Sequence, residues 1–337
     1  MSDTPILDVR DLRVELPLTR GTVHAVGGAS FRVEPGQALG LVGESGCGKS
    51  MTLRAILGLL PQPGHITGGE IVFEGEDLVT ADPARLRDVR GARIGIIFQE
   101  PMTALNPVMR VGDQIAEGPM VHLHQSRSQA RATALDLMRK VGIPDPARRT
   151  QAYPHELSGG MRQRVMIAIA LSCAPQLILC DEPTTALDVT IQDQILKLLA
   201  AMRRDLGVSV VFVTHDLAVV AQTCDRIAVM YAGQVVETGT VDEVFRAPRH
   251  PYTLGLLRSV PRFDVVRQSL DSIPGQPPDL VMPPAGCRFH PRCKFARDDC
   301  IEGEFPLRPL APGRATACIH DAECAAEAAA NPVIAGV

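Results

Sequence analysis

Eight residues, Gly43-Glu44-Ser45-Gly46-Cys47-Gly48-Lys49-Ser50, constrain this chain more than anything else in its sequence. They match G-x-x-x-x-G-K-[ST], in which glycines let successive backbone N–H groups converge on phosphate oxygens and the next helix adds its positive N-terminus. Such a loop needs a buried strand before it and a helix after it. Gln37 to Val42 is short and apolar, and from Ser50 onward Leu53, Ile56, Leu57 and Leu60 recur at helical spacing until Pro61. Lys49 is then placed to reach β- and γ-phosphates, and the Ser50 hydroxyl to ligate Mg²⁺. The expected phosphate site runs from Gly43 through Met51.

A second element is Leu177-Ile178-Leu179-Cys180-Asp181-Glu182, four apolar residues and then two acids. A buried strand ending this way sets its carboxylates at the sheet edge where open α/β sheets bind ligands. Asp181 is the expected Mg²⁺ partner, and Glu182 the residue that orients and polarises an attacking water. Further strand signals lie at 6–42, with a turn at Pro35-Gly36, and at 69–79, 94–98, 208–213 and 226–231. Residues 100–175 read as mainly helical, with an amphipathic segment from Ser128 to Val141. Ile191, Ile195, Leu198, Leu199 and Met202 mark another helix. Strands alternating with helices imply an α/β fold built on a parallel sheet, with the helical block inserted in it.

With 337 residues the chain suits two domains, and a formal charge of −4 gives no basic stripe for nucleic acid. The start carries no basic segment followed by an apolar run, so no signal peptide is expected. The most apolar window, Val165 to Cys180, is broken by Ser172, Pro175 and Gln176 and falls short of the roughly 20 residues a membrane span needs. Any membrane role is then borrowed from partners. Nine cysteines divide unevenly, four within the first 224 residues and five within the last 51. That pattern argues for a reducing, cytoplasmic compartment and for metal rather than disulfides. Prolines 261, 274, 277, 278, 283 and 284 mark a linker after Ser259, and the Ala-rich stretch from Cys324 to Val337 is expected to fray.

Between the two acidic and phosphate elements lies Leu157-Ser158-Gly159-Gly160-Met161-Arg162-Gln163-Arg164, opening a helix. This resembles the LSGGQ signature of ABC ATPases, with Met161 where the fifth residue is usually Gln. An ordinary helix N-cap is the bland reading of Ser158. The other family elements follow in order: Gln99 after a strand, the Ala186-Leu187-Asp188 turn, and His215 after a strand. The resemblance implies that Ser158, Gly159 and Gly160 contact ATP held by an opposite subunit. It also implies that Gln99 senses Mg²⁺ and water, that Asp188 communicates across the dimer, and that His215 contacts the γ-phosphate. The catalytic set is then Glu182, His215 and Gln99. The family usually stacks an aromatic on adenine, yet no Phe, Tyr or Trp precedes Phe31, which leaves Leu16, Val23 or His24 for that role.

The resemblance extends further. Phe98-Gln99-Glu100-Pro101-Met102-Thr103-Ala104-Leu105-Asn106-Pro107, Tyr153-Pro154-His155-Glu156 and Ala247-Pro248-Arg249-His250-Pro251-Tyr252-Thr253 look like the D-type ATP-binding proteins of dipeptide and oligopeptide permeases, nearest the dipeptide type. This implies a nucleotide-binding domain over 1–258, with an antiparallel β subdomain and a helical subdomain at about 100–175. A linker and small C-terminal region would occupy 259–337. It also implies a paralogous F-type ATPase as heterodimer partner, two transmembrane subunits, an extracytoplasmic peptide-binding protein, and a place on the cytoplasmic membrane face. Oligopeptide, nickel or haem uptake are alternatives to dipeptides. A soluble ABC ATPase in DNA repair or translation is a further one, although no coiled-coil insertion, second cassette or basic surface is visible.

Cys287, Cys293, Cys300 and Cys318 are separated by five, six and seventeen residues. Four thiolates can hold tetrahedral zinc or a [4Fe–4S] cluster, and no C-x₂-C pair favours zinc. Gly286-Cys287-Arg288-Phe289-His290-Pro291-Arg292-Cys293 resembles the permease C-terminal region in which such cysteines ligate [4Fe–4S]. The cluster is therefore the expected group, with zinc or unligated thiols as alternatives and a structural or redox-regulatory role left open. Cys324 is left over, and Cys47 acts in its loop through its backbone.

Overall fold

The computed structural model describes residues 4–185, 187–260 and 272–330. Along the chain, β1 (Leu7–Leu18), β2 (Gly21–Val33) and β3 (Ala38–Val42) lead into α1 (Lys49–Ile56), followed by β4 (His65–Phe73) and β5 (Glu76–Asp77). Next come α2 (Pro83–Val89), β6 (Ile94–Ile97) and the helices α3 (Pro101–Ala104), α4 (Val111–His122), α5 (Arg127–Lys140), α6 (Pro146–Arg149) and α7 (Gly159–Leu171). After these stand β7 (Leu177–Asp181), α8 (Val189–Leu206), β8 (Ser209–Thr214), α9 (Leu217–Thr223), β9 (Arg226–Tyr231) and β10 (Gln234–Thr240). The rest comprises α10 (Val241–Arg246), α11 (Pro251–Arg258), β11 (Arg308–Ala311), β12 (Arg314–Thr316) and α12 (Asp321–Ala330).

The chain divides into two compact units. One takes in the residues up to Arg32, Ala38–Val79 and everything from Val213 on; the other takes in Val33–Gln37 and Thr80–Phe212. In the first unit β2-β1-β4-β5 form one sheet, with β1 and β4 antiparallel and Leu7 opposite Phe73. A second sheet region runs β11-β12-β10-β9-β3. Only β3 and β9 are parallel here; β9–β10, β10–β12 and β12–β11 are antiparallel. The expected parallel sheet is thus mixed. A parallel partner needs a crossover, whereas β10 follows β9 across Ala232-Gly233, a span that only a hairpin can bridge. β12 pairs with β10, so the chain beyond 259 extends the same sheet rather than standing apart from it.

Apolar side chains of β9 and of helices α9 to α11 form the core beside this sheet. Tyr231, Tyr252 and Phe289 meet there, with ring centroids 4.5 to 5.4 Å apart. Aromatic pairs at this separation contribute about 1 kcal/mol beyond the area they bury. The fraying expected from Cys324 onward is not seen up to Ala330. That stretch forms α12, whose Cys324 and Ala328 bury against Leu254 of α11. Residues 331–337 lie outside the described residues, as do Pro261 of the linker and Ala186 of the expected turn.

In the second unit β8-β7-β6 are neighbours, and β6 runs parallel to β7 with Ile97 beside Cys180. Helices α4, α5 and α7 pack on one another as the helical block. The block is cut into short helices by its own sequence. Ser126 caps α5 in a capping box with Gln129, and Pro146 and Pro154 each start a new turn. On α8 the buried stripe is Ile195, Leu196 and Leu199, shifted from the expected one because Leu198 and Met202 are only half-buried. α1 ends at Ile56, earlier than the proline at 61, because Gly58 turns the chain at φ 59°. Among the described residues no helix is long and apolar enough to cross a membrane.

Candidate functional site

The glycine loop of the first unit sits between β3 and α1. Every residue of β3 is buried, which fixes the strand from which the loop departs. Gly48 has φ 105°, and a Cβ there would lie 2.3 Å from the Ala25 carbonyl oxygen; one on Gly43 would lie 2.1 Å from that of Met230. Only glycine fits either position. Lys49 is buried, and its Nζ donates to the carbonyls of Gly43 at 2.7 Å and Glu44 at 3.0 Å. The ammonium is thus aimed into the loop, where a phosphate would meet it. Cys47 is buried beside it, Sγ 3.7 Å from Nζ. Burial pushes the thiol up and Lys49 partly opposes this. A thiol held protonated is a poor nucleophile.

Glu44 is gripped from both sides. Its N–H donates to the Tyr252 hydroxyl at 2.8 Å, and its carboxylate takes a two-pronged bond from Arg292 at 2.7 and 3.1 Å. Val23 and His24 are half-buried on β2 and Leu16 on β1. The His24 N–H donates to the Leu280 carbonyl at 2.9 Å, and its ring pairs with Glu15 at 3.0 Å. Leu280 therefore lies beside His24, one of the residues expected to face adenine. His215 follows the last residue of β8 and is exposed.

In the second unit Asp181 ends β7 and is buried, and Glu182 turns the chain out of the strand at φ 46°. A left-handed conformation in a residue with a side chain carries strain of roughly 1 kcal/mol or more. Hydrogen bonds hold its side chain there. The Glu182 carboxylate accepts from the Thr185 hydroxyl at 2.9 Å and from Gln99 Nε2 at 3.3 Å. Gln99 and Glu182, 83 residues apart, are thus brought together. Ser158 caps α7, accepting from the Met161 N–H, so the N-cap reading of Ser158 holds as geometry. Gly160 lets the start of α7 approach α8, a Cβ there lying 2.9 Å from Ile191. Asp188 caps α8, accepting from the Ile191 N–H at 3.0 Å.

The C-terminal cysteines converge. Cys287, Cys293, Cys300 and Cys318 line one cavity with His250, Phe289, His290, Phe305 and His320. Burial pushes Cys287 up, Cys293 to about 11 and Cys318 to about 12, and each is raised further by neighbouring members of the set. Thiols raised in this way, at Cys287, Cys293 and Cys318, ionise readily only beside a cation. Among the described residues, the compact group with all donor atoms within 4.8 Å is Asp299, Cys300 and His320. His320 Nε2 and Asp299 Oδ1 lie 2.9 Å apart. Cys324 faces α11 instead, and its burial raises its thiol.

Three contributors escaped the motif reading: Arg292, Tyr252 and Leu280. Tyr252 and Arg292 stand in runs that look like permease sequence, but nothing local ties either to a loop more than 200 residues away. Leu280 sits in a proline-rich stretch read as linker.

Comparison with known proteins agrees with this geometry. The ABC transporter family profile matches residues 26–185, and that of the oligopeptide/dipeptide transporter C-terminal region matches 236–300. The dipeptide transport ATP-binding protein DppD of Bacillus subtilis (strain 168) is 52% identical over 289 residues, 86% of each chain. The oligopeptide transport ATP-binding protein OppD of the same organism is 51% identical, over 90% of this chain and 86% of that protein. OppD of Escherichia coli (strain K12) is 46% identical over 94% of each. Among solved structures, the post-hydrolysis dimer of the ATP-binding cassette MJ0796 with ADP and Pi superposes with a TM-score of 0.63. It has 27% identity and covers 70% of this chain and 98% of that one. The profile match over 26–185 contains the loop, the acids and the signature described above, and the chain belongs to the ATP-binding, ATP-hydrolysing proteins of ABC transporters, in the oligopeptide/dipeptide transporter branch.

Proposed function

We propose that this chain is the motor subunit of a peptide importer, using MgATP at a head-to-tail ATPase dimer to drive uptake of dipeptides or short peptides. The observation that carries the catalytic part is Glu182, strained out of β7 and held by Gln99 and Thr185. Glu182 polarises the attacking water, Gln99 orients it and reports to the channel, and His215 steadies the γ-phosphate. Lys49 and the amides of Gly43 to Met51 bind phosphate, and Ser50, Gln99 and Asp181 hold Mg²⁺. Ser158, Gly159 and Gly160 supply a helix N-terminus to nucleotide held by the facing subunit, and Asp188 signals between the two. Phosphoryl transfer needs little beyond such positioning and charge stabilisation.

The partners in this reading are a paralogous F-type ATPase, two transmembrane permease subunits and an extracytoplasmic peptide-binding protein. The chain sits peripherally on the cytoplasmic membrane face. The names of the relatives above support peptide cargo over nickel or haem, and nothing supports a DNA-repair role. The test is uptake of labelled dipeptides and longer peptides into proteoliposomes carrying the whole complex. ATP-dependent uptake abolished by Lys49→Ala is expected; uptake unaffected by that change would overturn the assignment.

For the cysteine cavity, a [4Fe–4S] cluster held by Cys287, Cys293, Cys300 and Cys318 is the favoured occupant, as a structural centre. Zinc would need its four sulfurs about 3.8 Å apart around one ion. The four thiols line a common wall without forming so tight a group. A cluster places each cysteine on a different iron and so spreads the sulfurs. The compact Asp299, Cys300 and His320 group favours zinc as the second reading. Metal analysis after anaerobic purification separates them: roughly four irons per chain, or one zinc.

A further inference from the structure

The segment that carries the cysteines also grips the phosphate loop. Arg292 directly precedes Cys293 and donates through Nη1 and Nη2 to the two oxygens of Glu44. Its Nε donates to the Pro274 carbonyl at 2.8 Å, and the Tyr231 ring centroid lies 5.8 Å from its guanidinium carbon. The arginine side chain is 5% exposed and that of Glu44 27%, so the guanidinium is shut off from water and the carboxylate largely so. Arg288, next to Cys287, donates to the Ala232 carbonyl. The adjoining Gly233 N–H reaches the Cys47 carbonyl at 2.9 Å. Between the two cysteines, Phe289 packs on Tyr252, whose hydroxyl takes the Glu44 N–H.

Exposed ion pairs do little, because water competes and two flexible side chains must be ordered. This pair differs on both counts. It is largely dehydrated, and the planar arginine is anchored at a third point by Pro274. Holding Glu44 by backbone and side chain fixes the residue that follows Gly43, whose carbonyl and that of Glu44 orient Lys49.

We propose that Arg292 is a positioning residue for nucleotide: with Tyr252 it holds Glu44, and hence the phosphate loop, in the shape that receives ATP, so that the cysteine segment sets nucleotide affinity. The proposal rests on the reading of Gly43 to Ser50 as the nucleotide site. Because the arginine is fixed beside Cys293, changes in the cysteine cavity reach the loop through the same contact.

The experiment measures equilibrium binding of a fluorescent ATP analogue, together with KM and kcat for ATP, in the assembled membrane complex. Arg292→Gln is expected to raise Kd and KM about tenfold, with the smaller part of the loss in kcat. Arg292→Lys keeps the charge but not the fork, and falls between. The double variant Arg292→Gln/Glu44→Gln is expected to bind no more weakly than the weaker-binding single variant, the mark of a coupled pair. An Arg292→Gln complex with wild-type affinity, or a double variant whose loss equals the product of the single losses, overturns the proposal. Should Arg292→Gln fail to assemble, Tyr252→Phe tests the same grip. About a threefold weaker Kd supports it, and an unchanged Kd sinks it. Lys49→Ala is the control. If it binds nucleotide as wild type does, the nucleotide-site reading fails and the proposal with it; if it loses binding while the Arg292 variants do not, the proposal alone fails.

Discussion

Replacing Glu237 should change how stability depends on pH, because this acid is fully buried in β10. Its carboxylate accepts from the N–H groups of Arg249 at 2.7 Å and His250 at 2.9 Å, with Arg314 3.9 Å away. Burial dominates and raises its pKa from 4.5 to about 7. The native state thus keeps a proton that the unfolded chain releases near 4.5. Stability from this group is therefore greatest below pH 4.5 and is lost as pH rises to about 7. At about 1.4 kcal/mol per unit, the loss is about 3 kcal/mol.

His250 acts in the opposite sense. Burial lowers its pKa from 6.5 to about 3, and its Nδ1 must stay unprotonated to accept from the Tyr252 N–H at 3.1 Å. Its contribution is complete above pH 6.5 and is lost as pH falls towards 3, so between 4.5 and 6.5 the two slopes oppose one another. Glu237→Gln removes one of them. Urea unfolding followed by circular dichroism should show the variant gaining about 3 kcal/mol on wild type between pH 4.5 and 7, whatever its offset from the lost hydrogen bonds. A difference between the two proteins that is flat across this range would refute the buried-acid argument.

Gly48→Ala places a methyl group 2.3 Å from the Ala25 carbonyl at φ 105°, and should abolish nucleotide binding measured by equilibrium dialysis. Cys318→Ser should lower bound iron per chain below half of wild type; iron unchanged in this variant and in Cys293→Ser would remove the cluster. Met138→Ala, at a fully buried position of α5, should cost about 2–5 kcal/mol of stability, read by urea unfolding.

The strand–loop–helix at 38–56 was legible because its information is local: an apolar run, glycines where a Cβ cannot fit, and a helical stripe. The same holds for β7 with Asp181 and Glu182, and for β9, whose limits match the apolar run 226–231. Gln99 and Glu182 were each expected at the attacking water, but their direct contact was not legible, since neither residue alone predicts a partner 83 positions away. What remained hidden depends on long-range contact. Arg292 reads as one arginine among many until the fold sets it against Glu44, 248 residues earlier. The β10–β12 pairing was masked by proline-rich composition, and α12 by a run of alanines that looks featureless until Cys324 and Ala328 find Leu254.

In the proposed motor, this chain hydrolyses ATP through Glu182 to drive transport. Steady-state ATP hydrolysis by the assembled complex, wild type against Glu182→Gln, is the decisive comparison. A hydrolysis rate at least about a hundredfold lower is expected in the variant, with ATP still bound and the dimer trapped closed. Hydrolysis at the wild-type rate in the variant would rule out Glu182 as the residue that activates the attacking water.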